Sequence, residues 1–574
     1  MSKLRSYFSS LIASLGRSAR RYPVTLALSA ALTALIIGII HSEYQNDILN
    51  AWVMTASLGI AASLCVRAAA ETFSLSGRVQ AAMYVGLAVL LALYQIWLAV
   101  PDNLVAGIRL AALIAALGLL FIALPFIRRS GERPVELYAI RLAYRALITG
   151  VYTGVLIGGL SAILLAMDEL LGVRLPDHIY EDVSTLVSGL FAPIFFLAGV
   201  PEPGEELPIT RYPAFIRVLL VYVMVPLLGA YGLVLYIYFI KMLVTLTWPV
   251  NMLGHMVFWY SLIGVGVLFL LWPLRERSAW ARVYCAWYPR IGILPLIMMF
   301  ISLGIRIAAY GITEPRYIVW VVGMWLLAAL IVRVVRRQGA GVWMPVTLAA
   351  VAFLMVMGPW SAFPVSRMSQ NARLNALLAR NGMLVSGKAV PAAADTVSQR
   401  DREEIADILR YFGRTHSLSD VAAMPEGFTL DDTEKTLGFA ITGWGPVGEK
   451  PYQYLYSVGE YAPLTSVAGY DYYYSNISGK TDGETDADEL SVRYDLGAQS
   501  LTLTSGEKTL IEIDISRHVR LIIERYPGLR EIPEEGMVFE ETNEQVRVKI
   551  VYERVGYRGD IVEDAAFHAL IDIR

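Results

Sequence analysis

The residues best placed to do chemistry in this 574-residue chain are charges set in or beside long apolar runs. A charged side chain at mid-bilayer costs about 2.5–3.5 kcal/mol on insertion scales, so it is a site candidate by default. Arg306 lies in the run ISLGIRIAAY, and the following GITEPR brings Glu314 and Arg316 within a short link. That spacing predicts that Glu314 folds back over the end of the Arg306 helix, with Pro315 opening the next helix and Arg316 marking the interface. The plainer reading of Arg306 is a side chain that snorkels to the surface, and Arg109 reads the same way. Together Arg306, Glu314 and Arg316 are the candidate functional or structural charges.

Other polar groups offer less. His178 lies among five acids in the stretch Asp168–Asp182, residue types that can hold a divalent cation. Their spacing matches no defined site, and a solvated acidic loop is the better reading. The same holds for the acidic run Asp482–Glu489. Tyrosines cluster at 452, 454, 456, 461, 470, 472, 473 and 474, and exposed aromatics can stack on a sugar or a partner. Alternation such as Tyr452, Tyr454, Tyr456 is also one face of a buried strand, and that reading is preferred. Cysteines number two, Cys65 and Cys285, so neither a disulfide framework nor a Cys-based metal site is expected in the C-terminal part. No Walker loop, nucleophile elbow or HExxH occurs, and no GxGxxG follows a strand-like run. No catalytic residue, cofactor or metal site is therefore expected.

The elements that must position these groups are mostly membrane helices. Hydrophobic residues make up 56% and charged residues 17%, against about 25% charged in a typical soluble protein. The net charge of −2 conceals an asymmetry: residues through Trp360 carry +10, and those from Ser361 on carry −12. Two parts with opposite charge and different hydropathy imply two solvents. Eleven runs are long enough to cross a bilayer: 22–40, 48–66, 81–100, 104–127, 146–167, 183–200, 218–240, 256–274, 291–309, 317–335 and 342–360. The break inside Phe215–Leu274 is the weakest, and a re-entrant piece there leaves the parity unchanged. With the N-terminus inside, inner segments hold 21 Lys and Arg and outer loops hold three, Arg174, Lys241 and Arg316. This bias orients the bundle with a cytoplasmic N-terminus, and an odd number of spans sends the C-terminus outside. Residues 1–21 carry Lys3, Arg5, Arg17, Arg20 and Arg21 around Leu4, Phe8, Leu11, Ile12 and Leu15, the pattern of a basic amphipathic segment lying in the interface.

Past 22–360 the chain changes character. Residues 361–396 read as an exit helix and a Gly/Ala/Pro-rich linker, and 397–574 as an extracytoplasmic α+β domain. Ser398 with Asp401 forms a capping box before Ile405, Ile408, Leu409 and Phe412 at helical spacing. Strand-like runs follow at 436–442, 452–457, 469–475, 490–496, 501–504, 509–515, 546–552 and 567–573. Gly497 and Gly506 mark hairpin turns, and a helix is expected at 516–526. The fold class is thus an α-helical polytopic bundle of about eleven transmembrane helices followed by a soluble α+β domain.

Three stretches carry a resemblance: YGITEPRY at 310–317, GPWSAFPVSRMSQNARL at 358–374 and DREEIADILRYF at 401–412. The chain resembles the bacterial membrane family called domain of unknown function 4153. The resemblance implies a multi-span protein of the bacterial cytoplasmic membrane and carries over no catalytic residue. Three functions are weighed. A membrane platform presenting an extracytoplasmic domain to an envelope protein or ligand ranks first. A transporter or channel ranks second, because pumps usually need several polar groups within their spans and most spans here are clean. A membrane enzyme acting on a lipid or lipid-linked substrate ranks third. Nucleic acid is not an expected partner, since the soluble domain is acidic and lacks a basic patch; the lipid bilayer is.

Overall fold

A computed structural model gives the architecture. It describes residues 16–574 except 17, 43–46, 98–103, 129–134, 172–174, 177, 203–204, 206–211, 246–252, 337–340, 393–396, 440, 442–451, 459–468, 477–482, 488–489, 496, 507, 527–530 and 559–560. The amphipathic segment expected before residue 16 lies outside the described residues. The chain forms two compact units: residues 1–373 with 414–420, and residues 374–413 with 421–574.

Among the described residues of the first unit, ten helices are long and apolar enough to cross a membrane. They are α1 Pro23–His41, α2 Asp47–Thr72, α3 Gly77–Trp97, α4 Leu104–Phe126, α5 Val135–Leu171, α6 Ile179–Leu197 and α7 Ala214–Thr245. After these come α8 Gly254–Leu274, the pair α9 Ala279–Ile291 and α10 Ile293–Tyr310, and α11 Glu314–Arg336. Their outward residues are apolar as well, Leu90, Ile163 and Leu233 among them, so the solvent of this surface is lipid. The described residues of Phe215–Leu274 form two long helices, α7 and α8, on either side of 246–252.

Three spans differ from expectation, the ninth because a separate helix, α9, precedes the expected run 291–309. α5 begins at Val135, not near 146, because Val135, Leu137, Tyr138 and Ile140 are buried in the bundle and keep the helix going. The eleventh run, 342–360, yields a helix of only 12 residues, α12 Trp343–Leu354. It stops short because the chain turns through Met355–Ser361, where Gly358 takes φ +90 and Pro359 supplies no amide donor. Twelve helical residues rise only about 18 Å. Even so, the segment lies beside the half of α11 from Trp325 back to Tyr317. Thr347 Oγ1 accepts from Trp325 Nε1 at 2.9 Å, and the Trp360 carbonyl accepts from Tyr317 Oη at 2.5 Å, near the far end of α11. Gly341, just before α12, donates its backbone N–H to Glu136 Oε1 near the start of α5.

α13 Ala362–Arg380 follows and passes from the first unit to the second at Arg373. In the second unit come the hairpin β1 Leu384–Val385 and β2 Lys388–Ala389, then α14 Gln399–Thr415. The expected strand at 436–442 is absent among the described residues. Thr433–Leu437 is a short helix, α15, stopped by Gly438 in the left-handed conformation. A six-stranded sheet has the order β4-β12-β11-β3-β9 with β10 on β11. These strands are β3 Tyr452–Val458, β4 Tyr472–Asn476, β9 Glu531–Pro533, β10 Val538–Thr542, β11 Val546–Arg558 and β12 Ile561–Ile573. A four-stranded meander is made of β5 Gly483–Ala487, β6 Leu490–Asp495, β7 Ser500–Ser505 and β8 Lys508–Asp514, with α16 Ile515–Arg525 after it. The acidic run expected as a loop is thus in part strand β5, paired with β6. Alternate residues fill one core: Val548, Ile550 and Tyr552 from β11, Phe567 and Ala569 from β12, Leu501 and Leu503 from β7.

Candidate functional site

The turn between α10 and α11 is built from one signature stretch and closed by another. Gly311 sits at φ 70, ψ 178, a region that only glycine enters readily. Such a turn frees three backbone groups, and one face of α13 takes them up. Gln370 Nε2 donates to the carbonyls of Tyr310 and Ile312, both at 3.0 Å, and the Ile312 N–H donates to Ser369 Oγ at 2.8 Å. Ser366 lies on the same helix face, three and four residues earlier, and its hydroxyl donates to Glu314 Oε1. Arg316 Nη1 closes the turn from the other side, donating to the Gly311 carbonyl at 2.7 Å and to Tyr310 at 3.2 Å.

Glu314 is the centre of this joint. It is 1% exposed, in the first turn of α11, where the helix dipole favours a negative charge. Besides Ser366 it holds His416, whose Nε2 lies 2.6 Å from Oε1. The carboxylate must accept there, so His416 carries its proton on Nε2. His416 belongs to the returning segment Arg414–Asp420, which α13 grips again: Arg367 Nη1 meets Asp420 Oδ1 at 2.7 Å, and Asn371 donates to the Asp420 carbonyl at 2.9 Å. Of the three predicted charges, Glu314 and Arg316 are thus in one joint, and Arg306 is half-buried on α10 two turns before it. Sequence reading missed Ser366, Ser369, Gln370 and His416. The first three were legible as a polar face at i, i+3, i+4 within the GPWSAFPVSRMSQNARL stretch; His416 carried no local signal. Arg109, the other intramembrane charge, has its guanidinium over the Phe363 ring at 4.9 Å.

The acidic stretch 168–182 is also partly paired. His41 Nε2 meets Asp182 Oδ2 at 2.9 Å, and the His41 and His178 rings lie 5.6 Å apart. Among the described residues no group of His, Cys, Asp and Glu is arranged to hold a metal ion.

In the second unit, an exposed constellation arises from strand register. The buried positions of β11 run 546, 548, 550, 552 and then 555, 557, so one extra residue, Glu553, interrupts the alternation. The pairing with β12 shifts there too, between Tyr552 and Arg554. This bulge re-aims Glu553, whose carboxylate reaches His568 Nε2 at 2.5 Å. On the next strand Ser475 stands opposite His568, its Oγ 3.0 Å from Nδ1. Tyr473 stacks on the imidazole at 5.3 Å and places its hydroxyl 2.6 Å from Nδ1. Glu553 accepts from Nε2–H, which leaves Nδ1 as an acceptor for the hydroxyls. Tyr473 keeps half its surface exposed, whereas Tyr472 and Tyr474 pack against the core. Of the expected tyrosine cluster, Tyr472 and Tyr474 thus fall to the core and Tyr473 to the surface by strand alternation, while Tyr461 and the side chains of Tyr452, Tyr454 and Tyr456 lie outside the described residues.

Comparison with known proteins adds a family and no reaction. The family model described as Domain of unknown function (DUF4153) matches residues 27–395, more than half of the chain. Among curated proteins, the "Uncharacterized protein PM1469" of Pasteurella multocida (strain Pm70) is 22% identical over 194 residues, covering 34% of this chain and 33% of that protein. The match spans about a third of that relative's length. No solved structure matches.

Proposed function

The chain belongs to the family described as Domain of unknown function (DUF4153), and on that premise we propose that it is a membrane platform presenting its C-terminal unit to a ligand or protein partner outside the cytoplasm. The observation that carries this reading is how the two units use their polar groups. In the first unit the signature residues Glu314, Ser366, Ser369 and Gln370 are engaged with one another, with backbone and with His416. In the second, the Tyr473–His568–Glu553 constellation is partly open. The chain also passes between the units three times, at 373/374, 413/414 and 420/421.

The proposed orientation has the N-terminus in the cytoplasm and the C-terminal unit on the far side of a cytoplasmic membrane. The 21-to-3 distribution of Lys and Arg supports it. We read the segment 341–360, which is bonded to α11 at Trp325 and Tyr317, as an eleventh crossing despite its short helix. The binding role is tested by placing a photo-crosslinking amino acid at Tyr473 and, separately, at Lys508 on β8 in cells. A discrete cross-linked species from position 473 only is expected. No cross-link from 473, or the same ladder from both sites, would contradict it.

A further inference from the structure

A cavity of about 360 Å³ lies at the opposite end of α11 from Glu314 and is lined by four arginines, Arg275, Arg282, Arg290 and Arg333, with Trp272 and Cys285. Arg333 is about 28 Å along the helix axis from Glu314, so the two sites are independent. Arg275 and Arg333 lie over the Trp272 ring, 3.7 and 3.8 Å from its centroid, which fixes both guanidinium groups by cation–π contact. Arg282 Nε donates to the Arg275 carbonyl at 3.3 Å, and Arg290 donates to the Ala286 carbonyl. Among the described residues two carboxylates are near: Glu276, exposed and paired with Arg275 at 3.2 Å, and buried Glu136, within coulombic reach of Arg333 and Arg275. Four guanidinium groups against two carboxylates leave an excess of positive charge around a space large enough for a phosphate-bearing headgroup.

The helix that supplies Arg282 and Arg290 shows what surrounds the cavity. At 100° per residue α9 has three faces. One, with Ala281, Tyr284 and Tyr288, is buried in the bundle. A second lines the cavity. The third carries Trp280, Val283, Trp287 and Ile291, all exposed. An exposed tryptophan stripe on a short amphipathic helix belongs at the membrane–water boundary, the depth of lipid phosphates. Planar guanidinium groups match phosphate oxygens in pairs, which a lysine does not.

We propose that this cavity binds a phosphate group, that of an anionic phospholipid headgroup or of a soluble phosphate ester. The test uses the full chain in dodecyl maltoside, with native mass spectrometry for retained lipid and thermal unfolding for stabilisation. The probes are dioleoylphosphatidylglycerol, dioleoylphosphatidylcholine and inorganic phosphate. Preferential retention of phosphatidylglycerol, weakened roughly tenfold in R282Q/R290Q, supports the site with a lipid source. Stabilisation by inorganic phosphate, likewise lost in the variant, with no lipid preference, supports the site with a soluble source. If R282Q/R290Q unfolds at a lower temperature without probe, R282K/R290K takes its place; it keeps the charge and is expected to retain binding in part. Equal binding of both lipids and no phosphate effect, or identical binding by wild type and variants, would overturn the proposal.

Discussion

Replacing Glu314 with alanine tests the joint most severely. The carboxylate is 1% exposed, and the His416 side chain is 4% exposed with its Nε2 2.6 Å away. Removing the carboxylate leaves the buried Nε2–H of His416 without this acceptor, at a cost of about 1–3 kcal/mol. The helix-dipole contribution at the start of α11 adds about 0.3–1 kcal/mol. His416→Ala removes one of the two named bonds and should cost about 1.5–3 kcal/mol. In the double variant the shared bond is lost once, so the sum should overshoot the measured cost by about 1.5–3 kcal/mol. The same cycle with Arg306→Ala is expected to give a smaller coupling to Glu314, about 0.5 kcal/mol or more, if the acid also shields that charge. The assay is SDS-titrated equilibrium unfolding of the full chain in mixed micelles, followed by tryptophan fluorescence. Additivity of Glu314→Ala and His416→Ala within about 0.5 kcal/mol would refute the reasoning that these residues form one unit.

Three other outcomes are expected. Gly311→Ala should destabilise by about 1–3 kcal/mol from backbone strain alone, and more because its Cβ would meet Gln370 Nε2 at 2.9 Å and Ser369 Oγ at 3.1 Å; an unchanged unfolding curve would remove the turn from the account. His518, buried on α16, is held below the ordinary histidine value of 6.5 chiefly by desolvation, against the opposing pull of Glu541. Its Nε2–H faces Glu541 and its Nδ1 accepts from Tyr552 Oη, with Arg517 and Asp514 also acting on it. The unfolded chain takes up a proton first as pH falls, so the stability this neutral histidine contributes is present above 6.5 and is lost as pH drops through the folded value. Hydrogen exchange of 515–525 in the full chain, corrected for intrinsic rate, should therefore lose protection on acidification, and His518→Gln should flatten that trend. Finally, a fragment starting at Leu374 should be more stable than one starting at Val397, since only the longer one keeps buried Leu374, Leu378 and Met383 and the bonds of Arg380 and Asn381 to Asp401. Equal melting temperatures would contradict it.

What the sequence revealed follows from the range over which each signal acts. Apolar run length is a local quantity, and it located ten spans, although the helices of the fifth and ninth begin well before their runs. The 12 residues of α12 were not legible, since hydropathy is blind to where a helix gives way to turns at Gly358 and Pro359. The extension of α5 back to Val135 also depended on tertiary burial, because Glu136 and Arg141 made that stretch look like a loop. In the C-terminal unit, hairpins around Gly497 and Gly506 were readable from turn residues. The Tyr473–His568–Glu553 constellation was not, because it needs the register of three strands and a bulge. Glu314 stood out as a lone acid beside an apolar helix, whereas His416 looked like an ordinary loop residue. The contact that makes it part of the joint spans about a hundred residues of sequence.

The central claim is that the two ends of the chain face opposite sides of the membrane, and single-cysteine labelling tests it most directly. Cys65 and Cys285 are both buried, so a background with both changed to serine accepts one new cysteine at a time. Lys508, exposed on β8, reports on the C-terminal unit, and Ser76, exposed between α2 and α3, reports on the proposed inner side. In intact spheroplasts a membrane-impermeant maleimide should label Lys508→Cys at once and Ser76→Cys only after lysis. Labelling of Ser76→Cys in intact cells with Lys508→Cys protected until lysis, or both residues behaving alike, would contradict the account.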